Sequence, residues 1–384
     1  MKRAKKKILL FLLMIGISVT ADFRMAYAAE GTDELAGSYL EELDLKELQS
    51  SIDEMFPEYD FDFRDSIAEL LRGEIPLRRD TLLEFLKEAA FSELSNQKNM
   101  VLQILVLAIA AAVFSNFVKI FEKNQISEIA FYMIYLLLFV ILMKAFGDLG
   151  RMAENNLQQM LHFMKLLLPT YLVVASLAAG SLTAIGFYEL TLVFIAAAQA
   201  LMTYIVLPGI RFYVLFLLLN HLGREELFSK LAELIHLALS WILKTLFALV
   251  VGVQTVQALL LPAIDSLKNS VWTKATGALP VLGNTLNAVT ETVLGTAVLL
   301  KNAVGVAGLL VIVLICLAPV VRLLVCTFLY KAVGAAVQPV SDKRITECIS
   351  GVGEGAALLL KTVSVTGVTF LITLALVTAS IRGV

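Results

Sequence analysis

The stretch that decides the fold is AVGVAGLLVIVLICLAPVV, residues 303–321, in which 19 consecutive positions carry no charge. A helix needs roughly 20 mostly apolar residues to cross the hydrocarbon core of a bilayer. Inside lipid, each backbone N–H and C=O must find its partner within the protein, and a single segment achieves this only as an α-helix. The stretch therefore predicts a transmembrane helix and a membrane protein.

Further apolar runs lie on both sides of this stretch. They predict an all-α, polytopic helical membrane protein with about eight transmembrane helices, within a range of seven to nine. Two interpretations are open for 190–222, either one span plus a half-helix or two thin spans around Pro208. Positive charges are too evenly divided between the loops to place the C-terminus on one side. The predicted spans are 100–118, 129–147, 166–188, 190–210, 234–261, 303–321, 323–340 and 362–381.

The composition divides the chain into two parts. Of its 384 residues, 59% are hydrophobic and 17% are charged, whereas soluble domains carry about 25% charged residues. Residues 30–99 hold 19 Asp and Glu against 7 Lys and Arg, and residues 100–384 hold 13 against 18. We expect an acidic, water-facing N-terminal region, 30–99, and a polytopic transmembrane domain, 100–384.

The first 29 residues have the three parts of a secretory signal peptide. Five basic side chains occur among the first seven residues, an apolar run follows from 8 to 19, and Ala26-Tyr27-Ala28 forms an A-x-A site. This pattern predicts cleavage after Ala28 or Ala29, with an uncleaved anchor as the alternative. The region 30–99 is then predicted to be extracytoplasmic.

This exported region is predicted to be small and helical. Leu48, Ile52 and Met55 follow the i, i+4, i+7 spacing of one helix face. Seventy residues is close to the lower size limit for an independent core. We therefore expect the region to pack on the membrane body or on a partner.

Two more helices are predicted before the first span. The helix 64–72 is followed by Gly73, which suits the left-handed position just after a helix end. Thr81 and Glu84 have the spacing of a capping box at the start of the next helix.

The segment 279–302, directly before the opening stretch, is too polar for a span and too apolar for a loop. On a helix, Asn284, Asn287 and Glu291 would follow one another at i, i+3 and i+7 and form a polar stripe. Amphipathic backbone is tolerated at the membrane interface or against a water-filled cavity. We predict an amphipathic, interfacial or re-entrant helix that leads into the 303–321 span.

Basic residues in or beside the spans are the candidates for function inside the membrane, where charges are costly. Arg322 lies at the end of a predicted span, where its head group can reach water. Lys301, which adjoins Asn302, and Lys331 are harder to explain in this way, although pairing between helices suits them better than transport chemistry. Prolines 169, 208 and 319 each free a backbone carbonyl that a neighbour must satisfy.

No motif of an enzyme is visible. The chain has no G-x-x-x-x-G-K-[ST] loop, no H-E-x-x-H pair and no G-x-S-x-G elbow, and its His and Cys residues match no metal-binding spacing. Glycines 351, 353 and 355 lack the lysine and hydroxyl of a P-loop, and close helix packing or a flexible turn explains them better. We expect no enzymatic activity, no cofactor and no metal.

Two sequence blocks carry a resemblance to a known family. The blocks are Pro280, Val281, Leu282, Gly283, Thr292, Val293, Leu299, Leu300, Lys301, Asn302, Val304, Gly305 and Gly308, and Phe328, Tyr330, Lys331, Ala335, Ala336, Gln338 and Pro339. Together with the layout of signal peptide, acidic region and polytopic body, they resemble the stage III sporulation protein AE family of endospore-forming bacteria.

The resemblance implies a non-enzymatic membrane subunit of the channel or secretion-like complex that links the mother cell to the forespore. It implies a multi-pass protein of the mother-cell membrane around the forespore. The implied partners are other stage III sporulation proteins of the same operon, including an ATPase and ring-forming subunits. The implied partners also include a forespore membrane protein, which the chain would contact between the two membranes, and the lipid bilayer. No nucleic acid is expected as a partner.

The family has no assigned catalytic residues, so the candidate positions are structural or conduit positions. Two other functions stay open, a self-sufficient solute permease and a membrane scaffold without a pore. The candidate positions are Pro280, Gly283, Asn284, Asn287, Glu291, Lys301, Asn302, Gly305, Gly308, Lys331, Gln338 and Pro339.

Overall fold

The computed structural model describes residues 40, 43–57, 61–74, 76, 79–118, 124–179, 181–222, 227–276 and 283–380, and all regular elements within these ranges are helical. The predicted signal peptide, 1–29, lies outside them. The elements are α1 Lys46–Met55, α2 Phe63–Leu71, α3 Arg79–Val118, α4 Asn124–Ala179, α5 Ser181–Leu201, a π-helix Met202–Val206, α6 Leu207–Asn220, α7 Ser229–Thr276, α8 Gly283–Val337 and α9 Lys343–Ser380.

Within these ranges, six helices are long and apolar enough to cross a membrane. The all-α membrane class is confirmed, and the count of eight spans is not. Predicted spans merge because polar residues alone do not end a helix. The segment 303–321 and most of 323–340 lie on the single helix α8, and Arg322 between them is mid-helix. The segment 129–147 and most of 166–188 share α4 in the same way.

The region 190–222 forms one nearly continuous helical segment. Glu189–Asn220 is a single candidate span, which favours one span over two thin spans, the two interpretations left open by the sequence. Pro208 sits in the first turn of α6, directly after the π-helix Met202–Val206. A proline removes one N–H and crowds the preceding turn, and a wider π turn accommodates both effects without ending the helix.

The helices α1 and α2 agree with the expectations for the N-terminal region. Leu48 and Ile52 are buried on one face of α1. Gly73 has φ +78°, its N–H donates to Leu70 O at 3.0 Å, and the N–H of Glu74 donates to Glu69 O at 2.9 Å. These two bonds form a Schellman motif, which needs the left-handed backbone that glycine adopts without strain.

The third helix differs from its prediction. It begins at Arg79, so Thr81 and Glu84 lie inside the helix and do not form its N-terminal cap. It continues to Val118, across the predicted boundary between residues 99 and 100. The helices α1 and α2 pack on α4 and α8, as expected for a region too small to bury a core of its own.

The centre of the bundle is the antiparallel hairpin of α8 and α9, whose connecting turn spans 338–342. α4 runs along both helices of the hairpin, while α6 and α7 cover the other side of α9. Large side chains fill this core, among them the fully buried Phe146, Phe163 and Phe370. Burial of apolar surface between long helices therefore fixes the positions of the candidate residues.

Candidate functional site

Lys301 is buried between the two helices of the hairpin. Its side chain is 2% exposed, and its Nζ donates to the backbone carbonyl of Thr378 at 2.9 Å. Thr378 lies in the last turn of α9, where backbone carbonyls lack partners and the helix dipole favours a positive charge. Lys301 therefore caps α9 from the neighbouring helix, which supports the interpretation of pairing between helices.

Gly305 and Gly308 lie on the turns of α8 that follow Lys301. A Cβ atom built on Gly305 would lie 2.8 Å from Thr378 Cγ2, and one on Gly308 would lie 2.5 Å from Leu167 Cδ2. Small residues let helix backbones approach closely in membranes. The glycines of the first sequence block therefore let α8 pack closely against α9 and α4. Asn302, which lies beside them, is partly exposed.

The earlier part of this block is only partly described. Pro280 lies outside the described residues, and α8 begins at Gly283. Asn284, Asn287 and Glu291 belong to the first turns of that helix, but their side chains lie outside the described part of the chain. The helical continuity from Gly283 into the 303–321 segment is observed, while the polar stripe stays a prediction.

The second block lies at the other end of α8. Lys331 is exposed, and its Cγ would lie 3.2 Å from a Cβ on Gly353 of α9. Gln338 and Pro339 are exposed in the turn between α8 and α9. The structure therefore separates the two blocks along one helix instead of joining them in a single site.

The three glycines of α9 also serve close packing. A Cβ on Gly351 would lie 2.5 Å from Leu217 Cδ2 of α6, and one on Gly355 would lie 2.7 Å from Phe146 Cε2 of α4. Gly353 meets α8, as described above. Because alternate residues of a helix point in different directions, the run lets three neighbouring helices approach α9, which confirms the packing interpretation.

Lys331 lines a polar cleft between α6, α7, α8 and α9, with a volume of about 720 Å³. Tyr213 donates its hydroxyl hydrogen to Glu354 Oε2 at 2.9 Å, and His221 Nδ1 lies 3.1 Å from Glu347 Oε2. Sequence inspection missed these residues, since they come from separate helices and form no local motif.

Sequence inspection also missed Asn156, which bonds the backbone carbonyl that Pro319 leaves without a helical donor. Pro319 has no N–H, so the carbonyl of Ile315, four residues earlier, has no helical donor. Asn156 of α4 is 1% exposed, and its Nδ2 donates to that carbonyl at 2.7 Å. The proline signalled that a partner was needed, but only the packing of α4 on α8 identifies it.

A second polar cleft, of about 570 Å³, lies at this contact, because Asn156, Ile315 and Pro319 all line it. Asn156 and Arg322 line it from α4 and α8, and Met55 and Phe56 line it from the end of α1. Arg322 is partly buried here. It lies in the middle of α8 and not at a helix end, the position from which the sequence suggested that its head group reaches water.

The described residues contain no group of three or more His, Cys, Asp or Glu side chains placed to hold a metal ion. Cys316, Cys326 and Cys348 are free and buried, which fits small apolar residues in a core. The polar groups described above mainly hold helices together or line the two clefts.

Comparisons with known proteins identify a family for this chain. The sequence profile of the stage III sporulation protein AE family matches residues 61–380. A stage III sporulation protein AE from Bacillus subtilis (strain 168) is 22% identical over 315 residues, which cover 82% of this chain and 79% of the relative. No solved structure matches the chain. Since the profile spans most of the sequence, from the second helix to the last, the chain belongs to the stage III sporulation protein AE family.

Proposed function

We propose that this chain is a non-enzymatic membrane subunit of the channel or secretion-like complex that joins the mother cell and the forespore. Family membership establishes a role in sporulation, and six apolar helices fit a membrane protein. In this proposal the chain lies in the mother-cell membrane around the forespore, with its N-terminal region extracytoplasmic.

The observation that supports the proposal is that the buried polar groups hold helices together. Lys301 caps α9 and Asn156 supplies the donor that Pro319 removes from α8. Both groups stabilise the packing of long helices, and neither is arranged with a nucleophile or a base for chemistry. Such an assembly suits a structural subunit, which supplies a transmembrane platform or part of a conduit.

The proposed partners are the other stage III sporulation proteins of the same operon, including its ATPase and ring-forming subunits. A forespore membrane protein would meet the extracytoplasmic region between the two membranes. The strongly acidic balance of residues 30–99, with 19 acidic against 7 basic residues, favours protein partners over nucleic acid, because phosphate backbones repel such a surface.

A clean in-frame deletion in the native spore-forming host tests this proposal. We expect a block in spore formation after engulfment begins, observed by membrane-dye microscopy and by counts of heat-resistant spores. A wild-type copy at a second locus should restore the spores. Normal spore counts in the deletion strain would contradict the proposal.

The cleft that contains Lys331 favours a second candidate function, a self-sufficient solute permease. Its volume of about 720 Å³ lies within the range of small-molecule sites. Purified chain in liposomes would then move a solute without any partner protein. Strict dependence of spore formation on the operon partners, with no transport in liposomes, would reject the permease.

A further inference from the structure

Two polar atoms in the cleft at the end of α1 have no hydrogen-bond partner among the described residues. They are Arg322 Nε and Asn156 Oδ1, and both atoms are buried. The orientation of the Asn156 amide is set, because its Nδ2 already donates to Ile315 O at 2.7 Å. An unpaired polar atom in a buried position is costly. The cleft therefore offers a donor on Arg322 and an acceptor on Asn156 to a ligand.

The charge of the cleft is positive. Arg322 is absent from the ion pairs formed among the described residues. The other charged residues that line the cleft, Arg151 and Asp148, are exposed and pair with each other. Among the described residues, one guanidinium is therefore left without an ion-pair partner, and such a charge beside apolar helices favours binding of an anion.

The position of the cleft along the bundle favours lipid headgroups. The candidate span on α4, Phe131–Leu177, has 47 residues, a length of roughly 70 Å at the rise of an α-helix. A hydrocarbon core is only about 30 Å thick, so part of α4 must lie outside it. The polar stretch 148–159 interrupts the apolar residues of α4, and six of its residues line the cleft.

We propose that this cleft binds the phosphate group of an anionic phospholipid whose headgroup carries hydroxyl groups, such as phosphatidylglycerol. The guanidinium of Arg322 donates to the phosphate oxygens, a geometry that arginine suits better than lysine. A headgroup hydroxyl donates to Asn156 Oδ1. Met55, Phe56 and Pro319, which also line the cleft, supply an apolar wall for the lipid. The site is independent of the proposed function.

Native mass spectrometry of the full chain tests the site. The protein in neutral detergent is titrated with phosphatidylglycerol, with phosphatidylcholine and with inorganic phosphate. We expect about five-fold tighter binding of phosphatidylglycerol than of phosphatidylcholine, the factor that one basic residue contributes near an anionic surface. In Arg322→Gln this preference should fall to about one-fold, whereas Lys230→Gln should keep it, because Lys230 lies on α7 outside the cleft and pairs with Glu233.

Ala318→Glu provides a second test that does not depend on removing Arg322. Ala318 lines the same cleft one turn before Arg322, and a Glu at i pairs well with an Arg at i+4. This variant should lose the preference for phosphatidylglycerol while remaining folded. An equal preference in wild type, Arg322→Gln and Ala318→Glu would overturn the proposal, and so would saturation of the site by inorganic phosphate alone.

Discussion

Lys301 and Lys331 lie on the same helix, in the two sequence blocks that identify the family, yet they have opposite environments. Lys301 is 2% exposed and donates to a carbonyl of α9. Lys331 is exposed and lines a polar cleft. The difference arises because Lys301 meets the C-terminal end of α9, where carbonyls lack donors, whereas Lys331 lies beside Gly353 in the interior of that helix, where the carbonyls are bonded within the helix.

A lysine in an apolar run can therefore have different structural roles. One lysine contributes to stability by capping a neighbouring helix, and the other leaves its ammonium group available to water or to a ligand. Four substitutions test the contrast, in order of decreasing effect on stability.

Gly305→Leu should have the largest effect. A Cβ at this position would lie 2.8 Å from Thr378 Cγ2, so a leucine must push α8 away from α9 at a cost of about 3 kcal/mol. Thermal unfolding of the purified chain in detergent measures the loss. Gly295→Leu is the matched control, because no atom lies within 4 Å of a Cβ there. Equal stability of the two variants would contradict close packing at Gly305.

Lys301→Met should destabilise the chain by about 2 kcal/mol, the usual contribution of a hydrogen bond from a charged group. The methionine keeps most of the buried aliphatic volume, so the loss reports on the cap of α9. Denaturant unfolding followed by tryptophan fluorescence or helical circular dichroism gives the free energy. Wild-type stability in this variant would show that the contact with Thr378 O contributes nothing.

Asn156→Leu should cost about 1.5 kcal/mol, because it leaves the carbonyl of Ile315 buried without a donor. Pro319→Ala restores an N–H four residues after Ile315, so the double variant should recover part of the loss. A double-mutant cycle in the same unfolding assay measures this coupling. Simple addition of the two single effects would reject the pairing of Asn156 with Pro319.

Lys331→Met should change stability by less than about 0.5 kcal/mol, as most exposed substitutions do. Its aliphatic part still covers Gly353, and no ion pair with another described residue is lost. The same unfolding assay provides the measurement, with Lys301→Met as the contrasting variant. A loss of stability as large as that of Lys301→Met would show that the two lysines contribute equally to stability.

The sequence alone determined the class of the protein and much of its local structure. Runs of about 19 uncharged residues predict membrane helices because lipid offers no partner to the backbone, and six candidate spans are found in the described part of the chain. Gly73 ends α2 as predicted, since the helix stop depends only on neighbouring residues. The two sequence blocks, together with the layout of the chain, indicated the family.

Tertiary structure alone decided the number of helices and the partners of the polar residues. Arg322 and the polar middle of α4 suggested breaks between spans, yet each helix continues because its backbone hydrogen bonds do not depend on side-chain polarity. The contacts Lys301–Thr378 and Asn156–Ile315 join residues 77 and 159 positions apart. No local pattern encodes such contacts, since they follow from the way in which long helices bury their apolar surfaces against one another.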